Sequence, residues 1–370
     1  MSKIHLIVCL LTYFSYIVCF SEAEELKVAV ICSQTGAASN EVSQCVELVK
    51  IAFKEINNTS SETDYKIVPI FINDHSSILG ARFAAEKAYT ENVCAIVGMS
   101  WSTFSIPAAK IAQYRKIPMI LSIATSPAVT RTGNYIFRVC FNDEYQGKVL
   151  SSFARIILKA KTAVIIKKTS CDYSLVLTDV FRSNFTGMGG TVIKELSYSQ
   201  NDISFKKMVS RLFNISMDIL FVAGHYESGL IVKEVQALGI KTIALGGDGW
   251  SGPTFQKFGG KDIETGYYST HWSKDMQNTV SDEFFKKYDL MDSISVAAAL
   301  AYDAIILLAD AITRTENKNR EEIKKELSQT RDFQGLTGTI SLNKNGDPFK
   351  TVIINKIERG KKKFFTAIHP

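Results

Sequence analysis

Apolar positions recur along this chain in two rhythms that take turns. Residues 26–31, Leu-Lys-Val-Ala-Val-Ile, form a short run suited to a buried strand, whereas Val42, Cys45, Val46, Val49, Ala52, Phe53 and Ile56 fall at helical spacing. A strand-like stretch at 66–72 follows, then a helix through Ala81, Ala84, Ala85 and Ala88, a strand at 93–97, a helix at 104–114 and a strand at 118–122. Such alternation predicts a parallel sheet covered by helices on both faces, because the helices are the crossovers between parallel strands.

The rhythm restarts after residues 134–140. Helices predicted at 144–158, 174–185, 205–213 and 228–238 interleave with strands at 163–166, 191–196, 218–222 and 242–245. The remainder departs from it, with strand-like 267–270, a helix at 282–288, and 296–312, which is apolar on nearly every face. A helix of that last kind has to sit inside a core, and the first unit is the natural host. Strands at 339–342 and 351–357, with a turn at Asn345-Gly346-Asp347-Pro348, end the pattern. The predicted fold class is α/β: two doubly wound parallel-sheet lobes joined by a three-stranded hinge, the chain crossing three times. One lobe takes residues 24–141 plus 272–350 and the other takes 142–271 plus 351–370. The carboxyl ends of the strands then face the cleft, where open α/β sheets bind ligands.

The N-terminus reads as an address rather than structure. Lys3 precedes an apolar stretch at 4–20, and Ser21 and Ala23 suit the small positions of a signal-peptidase site, so residues 1–23 are expected to be a signal peptide. Lipidation at Cys19 is the less favoured alternative, because Val18 stands where a small residue belongs. The mature protein is expected to be soluble, monomeric, and periplasmic or otherwise extracytoplasmic. The apolar stretch at 296–312 is interrupted by Asp303 and Asp310.

Charge changes this picture little. The net charge of +6 is spread along the chain, and its one dense run, Lys361-Lys362-Lys363, reads as a solvated strand edge rather than a nucleic-acid arm. No nucleic-acid partner, cofactor or metal is expected: the five histidines are scattered and neither CxxC nor HExxH spacing occurs. Cys32, Cys45, Cys94, Cys140 and Cys171 follow the leader, and sequence assigns no disulfide among them.

Candidate chemistry lies in the loops after predicted strands. Gly98-Met-Ser-Trp-Ser-Thr103 and Ile123-Ala-Thr-Ser-Pro127 each join a strand end to a helix start and offer hydroxyls at Ser102, Thr103, Thr125 and Ser126. Helix-start N–H groups with hydroxyl donors form an anion site, and with no Lys or Arg in either loop the pattern suits a carboxylate held by neutral donors. The bland alternative is a pair of ordinary helix caps. The second unit offers Cys171-Asp-Tyr173, Gly224-His225-Tyr226 and Gly246-Gly-Asp248-Gly-Trp250. Asp248, among glycines that permit close backbone approach, could hold an ammonium group or merely bond its own turn. Gly247, Gly249 and Gly252 also spell a dinucleotide fingerprint, but the acidic residue expected about twenty positions later is missing, so a nucleotide site is rejected.

Taken in order, Lys27-Val-Ala-Val-Ile, Thr35-Gly36, Gly98-Met-Ser-Trp-Ser-Thr103, Ala124-Thr-Ser-Pro127, Tyr135-Ile-Phe-Arg138, Gln146-Gly147 and Gly246-Gly-Asp-Gly-Trp250 resemble the branched-chain amino-acid binding proteins of ABC transporters, the type I periplasmic binding-protein family. The resemblance covers nearly the whole chain after the leader. It implies a ligand α-carboxylate held by Ser102, Thr125 and backbone near Ala124, and an ammonium group met by Asp248. It also implies closure by Tyr173 and His225, Trp101 bordering the ligand's side chain, and an ABC permease as the membrane partner. Thr103 joins this set, and Glu41, Asp143 and Tyr226 are further candidates. Departures are visible: His225 stands where an aromatic hydroxyl is usual, Glu41 where an aromatic is frequent, and Ser76 and Trp101 near the places of the family's first-lobe disulfide. They leave a polar or aromatic amino acid, an amide or another carboxylate open. A sensor with the same cleft and a Rossmann-like enzyme are the competing readings. The enzyme reading is weakened because no GxSxG elbow occurs and Ser102, His225 and Asp248 come from opposing lobes.

Overall fold

A computed structural model describes residues 24–59, 65–202, 204–276, 279–288 and 294–370; the expected leader lies outside the described residues. The first unit is a five-stranded, fully parallel sheet in the order β2-β1-β3-β4-β5, from β1 (Glu24–Cys32), β2 (Tyr65–Asn73), β3 (Ala95–Met99), β4 (Met119–Leu121) and β5 (Ile136–Arg138). Helices α1 (Ser39–Thr59), α2 (Ile78–Thr90), α3 (Ser102–Tyr114) and the single turn α4 (Pro127–Thr130) make its crossovers. The alanines that marked α2 in the sequence are all buried, and they pack beside β1 and β3 residues such as Ala29, Ile31 and Ile96. Ser77 starts that helix, its hydroxyl accepting from the Gly80 N–H at 3.0 Å.

The second unit runs α5 (Asp143–Ser152), β6 (Thr162–Lys168), α6 (Asp172–Gly187), β7 (Thr191–Tyr198), α7 (Lys206–Val209), β8 (Ile219–Ala223), α8 (Glu227–Ala237), β9 (Ile243–Gly246), α9 (Pro253–Lys257) and β10 (Thr265–Thr270). Two predicted helices differ in form. The one at 144–158 ends as a π-helical turn over Phe153–Ile157, and the one at 205–213 shrinks to α7 followed by a 3₁₀ turn.

After β10 the chain makes α10 (Thr279–Tyr288), α11 (Val296–Arg314), α12 (Arg320–Ser328), the three-stranded antiparallel patch β11 (Phe333–Gly335), β12 (Gly338–Leu342) and β13 (Pro348–Phe349), and finally β14 (Val352–Glu358) and β15 (Lys361–Ile368). Helix α11 is apolar and long enough to cross a membrane by composition, but in this fold it fills the first unit's core against α1, with Ala301, Ile305 and Leu308 beside Val42 and Val49. Its Asp303 is buried and accepts from the backbone N–H groups of Leu336 and Thr337 at 2.6 and 3.0 Å, tying the β11–β12 turn to the helix. Sequence periodicity missed α12 because that helix is mostly polar; its start is fixed by the Asn319 side chain accepting from Glu322 N–H.

The second sheet has seven strands in the order β15-β14-β10-β9-β8-β6-β7, parallel from β10 to β7, with β14 and β15 antiparallel at one edge. The expected parallel-sheet lobes are present, and β14 and β15 add an antiparallel edge to the second of them. A tight turn through Arg359 and Gly360, both at positive φ (49° and 74°), pairs Glu358 with Lys361, and so short a link can only join antiparallel strands.

Candidate functional site

The parallel strands of both sheets aim their carboxyl ends at one cavity. Residues following β1, β3 and β4 supply Glu41, Trp101, Ser102, Ile123 and Thr125. Those following β6, β8, β9 and β10 supply Tyr173, His225, Asp248 and His271. The first turn of α11 closes one side with Val296, Ala297 and Leu300. The cavity holds about 50 Å³, which suits a compact solute.

On the first-unit side the donors are neutral. Helix α3 begins at Trp101 without a side-chain cap, although Trp101 O accepts from the N–H groups of Phe104 and Ser105. The helix start therefore keeps donors for a ligand. Ser102 Oγ accepts from Ser126 N–H at 3.0 Å, so its own hydrogen is left to donate. Arg138 is fully buried and holds the second loop from behind: Nη1 donates to Ala124 O at 2.7 Å, Nη2 to Ser126 O at 3.1 Å, and Nε pairs with Asp347 at 2.7 Å.

On the second-unit side Asp248 is the charged group. Its Oδ1 accepts from Gln146 Nε2 at 2.8 Å and its Oδ2 faces His271 Nε2 at 3.2 Å, while its own N–H donates to Gln146 Oε1 at 3.2 Å. The glycines make that seat. A Cβ at Gly247 would lie 2.3 Å from both Gln146 Oε1 and the Tyr173 hydroxyl, and one at Gly249 would lie 2.5 Å from Gly224 O. Burial works against the Asp248 charge, but the bonds from His271 and Gln146 outweigh it and hold the carboxyl below its usual range. Burial holds His271 and His225 down, His225 to about 4, so both are neutral near pH 7.

The two units touch across the cavity. The Trp101 and His225 rings stack, and Thr103 Oγ1 donates to Asp172 Oδ2 at 3.1 Å. Trp101 Nε1 donates in turn to Glu41 Oε2 at 2.8 Å. Phe141 and His271, from two connecting segments, lie with ring centroids 3.7 Å apart, and Lys350 Nζ from the third donates to Val139 O at 3.2 Å.

Of the residues singled out in the sequence, Glu41, Trp101, Ser102, Thr125, Tyr173, His225 and Asp248 line the cavity together. Four stand apart from its lining. Thr103 bridges to Asp172, and Ala124 is buried with its carbonyl taken by Arg138. Tyr226 packs on Phe258, at 5.3 Å between centroids. Asp143 is fully buried behind Thr125, with neither carboxylate oxygen in good hydrogen-bond geometry. Burial and the nearby Asp248 charge drive its carboxyl well up, and the Thr125 hydroxyl offsets this only in part. Sequence reasoning missed His271 and Gln146 as the partners of Asp248. His271 was visible as the residue just past a strand end, the position shared by the other cavity residues.

A family model described as periplasmic binding protein matches residues 25–362. The chain is similar to a leucine-binding protein of Thermotoga maritima, 31% identical with a TM-score of 0.87 over 93% of this chain and 99% of that one. It is also similar to a branched-chain amino acid transporter substrate-binding protein of Streptococcus pneumoniae solved with isoleucine, 25% identical with a TM-score of 0.86 over 94% and 100%. A Leu/Ile/Val-binding protein homologue of Brucella suis is 26% identical across 84% of each chain.

Proposed function

Since the chain belongs to the periplasmic binding protein family, we propose that it is the extracytoplasmic solute-binding component of an ABC importer, closing on a small α-amino acid and delivering it to a membrane permease. In this reading Ser102, Thr125 and the start of α3 take the ligand's carboxylate, Asp248 takes its ammonium group, and Trp101, Tyr173 and His225 enclose the rest. Residues 24–141 with 272–350 move as one lobe and 142–271 with 351–370 as the other, hinged at the three connecting segments, and the protein works as a monomer after loss of residues 1–23.

One observation carries the proposal. A single cavity sets neutral hydroxyl and N–H donors on one wall against an ionised, hydrogen-bonded Asp248 on the other. A zwitterion matches both walls, since charge-assisted bonds are the strong ones in a poorly solvated site. The enzyme alternative fits less well, because the hydrogen-bonded imidazole partner of Asp248 is His271, whereas His225 is stacked on Trp101. A sensor would use the same cleft, and the neighbouring genes discriminate: permease and ATPase genes favour import, kinase genes favour sensing. The direct test is a thermal-shift screen over amino acids, their deaminated analogues and amides; ligand at ~100 times its Kd should add roughly 2.7 kcal/mol of stability. Stabilisation by deaminated acids alone would remove the ammonium group from the reading.

A further inference from the structure

Glu41 gives the cavity a second carboxylate that a plain aliphatic amino acid leaves unanswered. It sits in the first turn of α1, with Oε2 held by Trp101 Nε1 at 2.8 Å. Its other oxygen, Oε1, points across at the second unit, 3.5 Å from where a Cβ on Gly252 would stand, and no donor among the described residues reaches it. The charged side chains facing it are Asp248 and Glu227; the imidazoles lining the cavity are neutral, and neither Lys nor Arg lines it. Burial, opposed by the Trp101 hydrogen bond and reinforced by Glu227 and Asp248, pushes Glu41 up to about 7.

The charge count then decides what fits. Asp248 answers one ammonium group, and the opposite wall answers one carboxylate with dipoles. Glu41 remains, with an open acceptor oxygen in a space where an unpaired carboxylate is costly. We propose that Glu41 is a specificity-determining residue that selects an amino acid whose side chain ends in an N–H donor, a protonated amine ahead of a neutral amide. The selection rests on the amino-acid reading of the cleft. It follows from Glu41 and Trp101 lining the same cavity as Ser102 and Asp248 while bonded to each other rather than to either of them.

Calorimetry with two matched pairs tests this: ornithine against norvaline for a cationic side chain, and asparagine against leucine for a neutral donor of similar shape. The parent should bind the donor-bearing member of at least one pair ten or more times more tightly at pH 7.5. Glu41→Leu should reverse that ratio. Glu41→Gln, which can still accept from Trp101, should lose the ornithine advantage while keeping asparagine. Unfolding curves of the variants check that they remain folded. If norvaline and leucine outbind their partners and Glu41→Leu leaves both ratios unchanged, Glu41 does not select the ligand, although the amino-acid reading stands. If no α-amino acid binds, that reading falls and this assignment falls with it.

Discussion

Trp101 and His225 lie face to face across the cleft, their ring centroids 3.9 Å apart and their planes 14° from parallel. They follow strands of different sheets, so the stack exists only when the two units are together. The other two tryptophans, Trp250 and Trp272, are buried within single units, stacked on Phe255 and Phe285. A ligand that closes the cleft should therefore change indole fluorescence through Trp101, and Trp101→Phe should abolish the change. Scattering from the parent should show a smaller radius of gyration with ligand; identical curves at saturation would argue against hinge closure.

The carboxylate wall is testable one donor at a time. On the proposed assignment Ser102→Ala and Thr125→Ala each remove a donor to the ligand's buried carboxylate, and bonds of that kind contribute roughly 1.5–3 kcal/mol. Each variant should bind the amino acid about ten- to a hundredfold more weakly by calorimetry. Ser102→Ala also frees the Ser126 N–H it now satisfies, so its loss should be the larger. Parental affinity in both variants would place the carboxylate elsewhere.

Asp248→Asn removes the charge but keeps most of the shape. Its neighbours can adjust, since His271 Nδ1 has no partner and the ring can exchange tautomers to accept from the new amide. The folded protein should thus lose little stability. Amino-acid affinity should fall more than about thirtyfold, in line with the ~2–5 kcal/mol cost of truncating one member of a buried charge pair. Affinity for the deaminated analogue should hold or improve. Calorimetry on that ligand pair reads both effects, and an unchanged amino-acid Kd would overturn the ammonium assignment.

Two cavity groups oppose each other as pH falls. His225 is held down to about 4 by burial, so the neutral imidazole is the one the fold favours, and the stability it contributes above about 6.5 drains away as pH falls toward 4. Glu41 is pushed up to about 7, so its protonated form is favoured, and stability rises as pH falls through 7 toward the ordinary carboxylate range. Between pH 7.5 and 4.5 the parent's unfolding midpoint should change less than either group alone would require. Glu41→Gln exposes the His225 loss, roughly 2–3 kcal/mol by pH 4.5 for a shift of that size. Denaturant melts of parent and variant across that range check it; parallel curves would contradict the opposition.

The sequence by itself determined most of the elements and where chemistry would gather. Alternating buried strands and one-faced helices report burial residue by residue, so both open-sheet units and the all-apolar 296–312 were legible, as was the insertion of α11 into the first unit's core. Ser102, Thr125 and Asp248 were also legible, because a loop after a strand carries its type and place in local order. Tertiary structure decided the pairings. Gln146 and His271 reach Asp248 from 102 and 23 residues away, and Thr103 meets Asp172 from 69. No periodicity encodes such distances; they depend on how two sheets are set against each other. The antiparallel β14–β15 edge and the polar helix α12 were lost for a related reason: a hairpin's direction is fixed by its turn, and a polar helix by its cap, neither of which leaves an apolar rhythm to read.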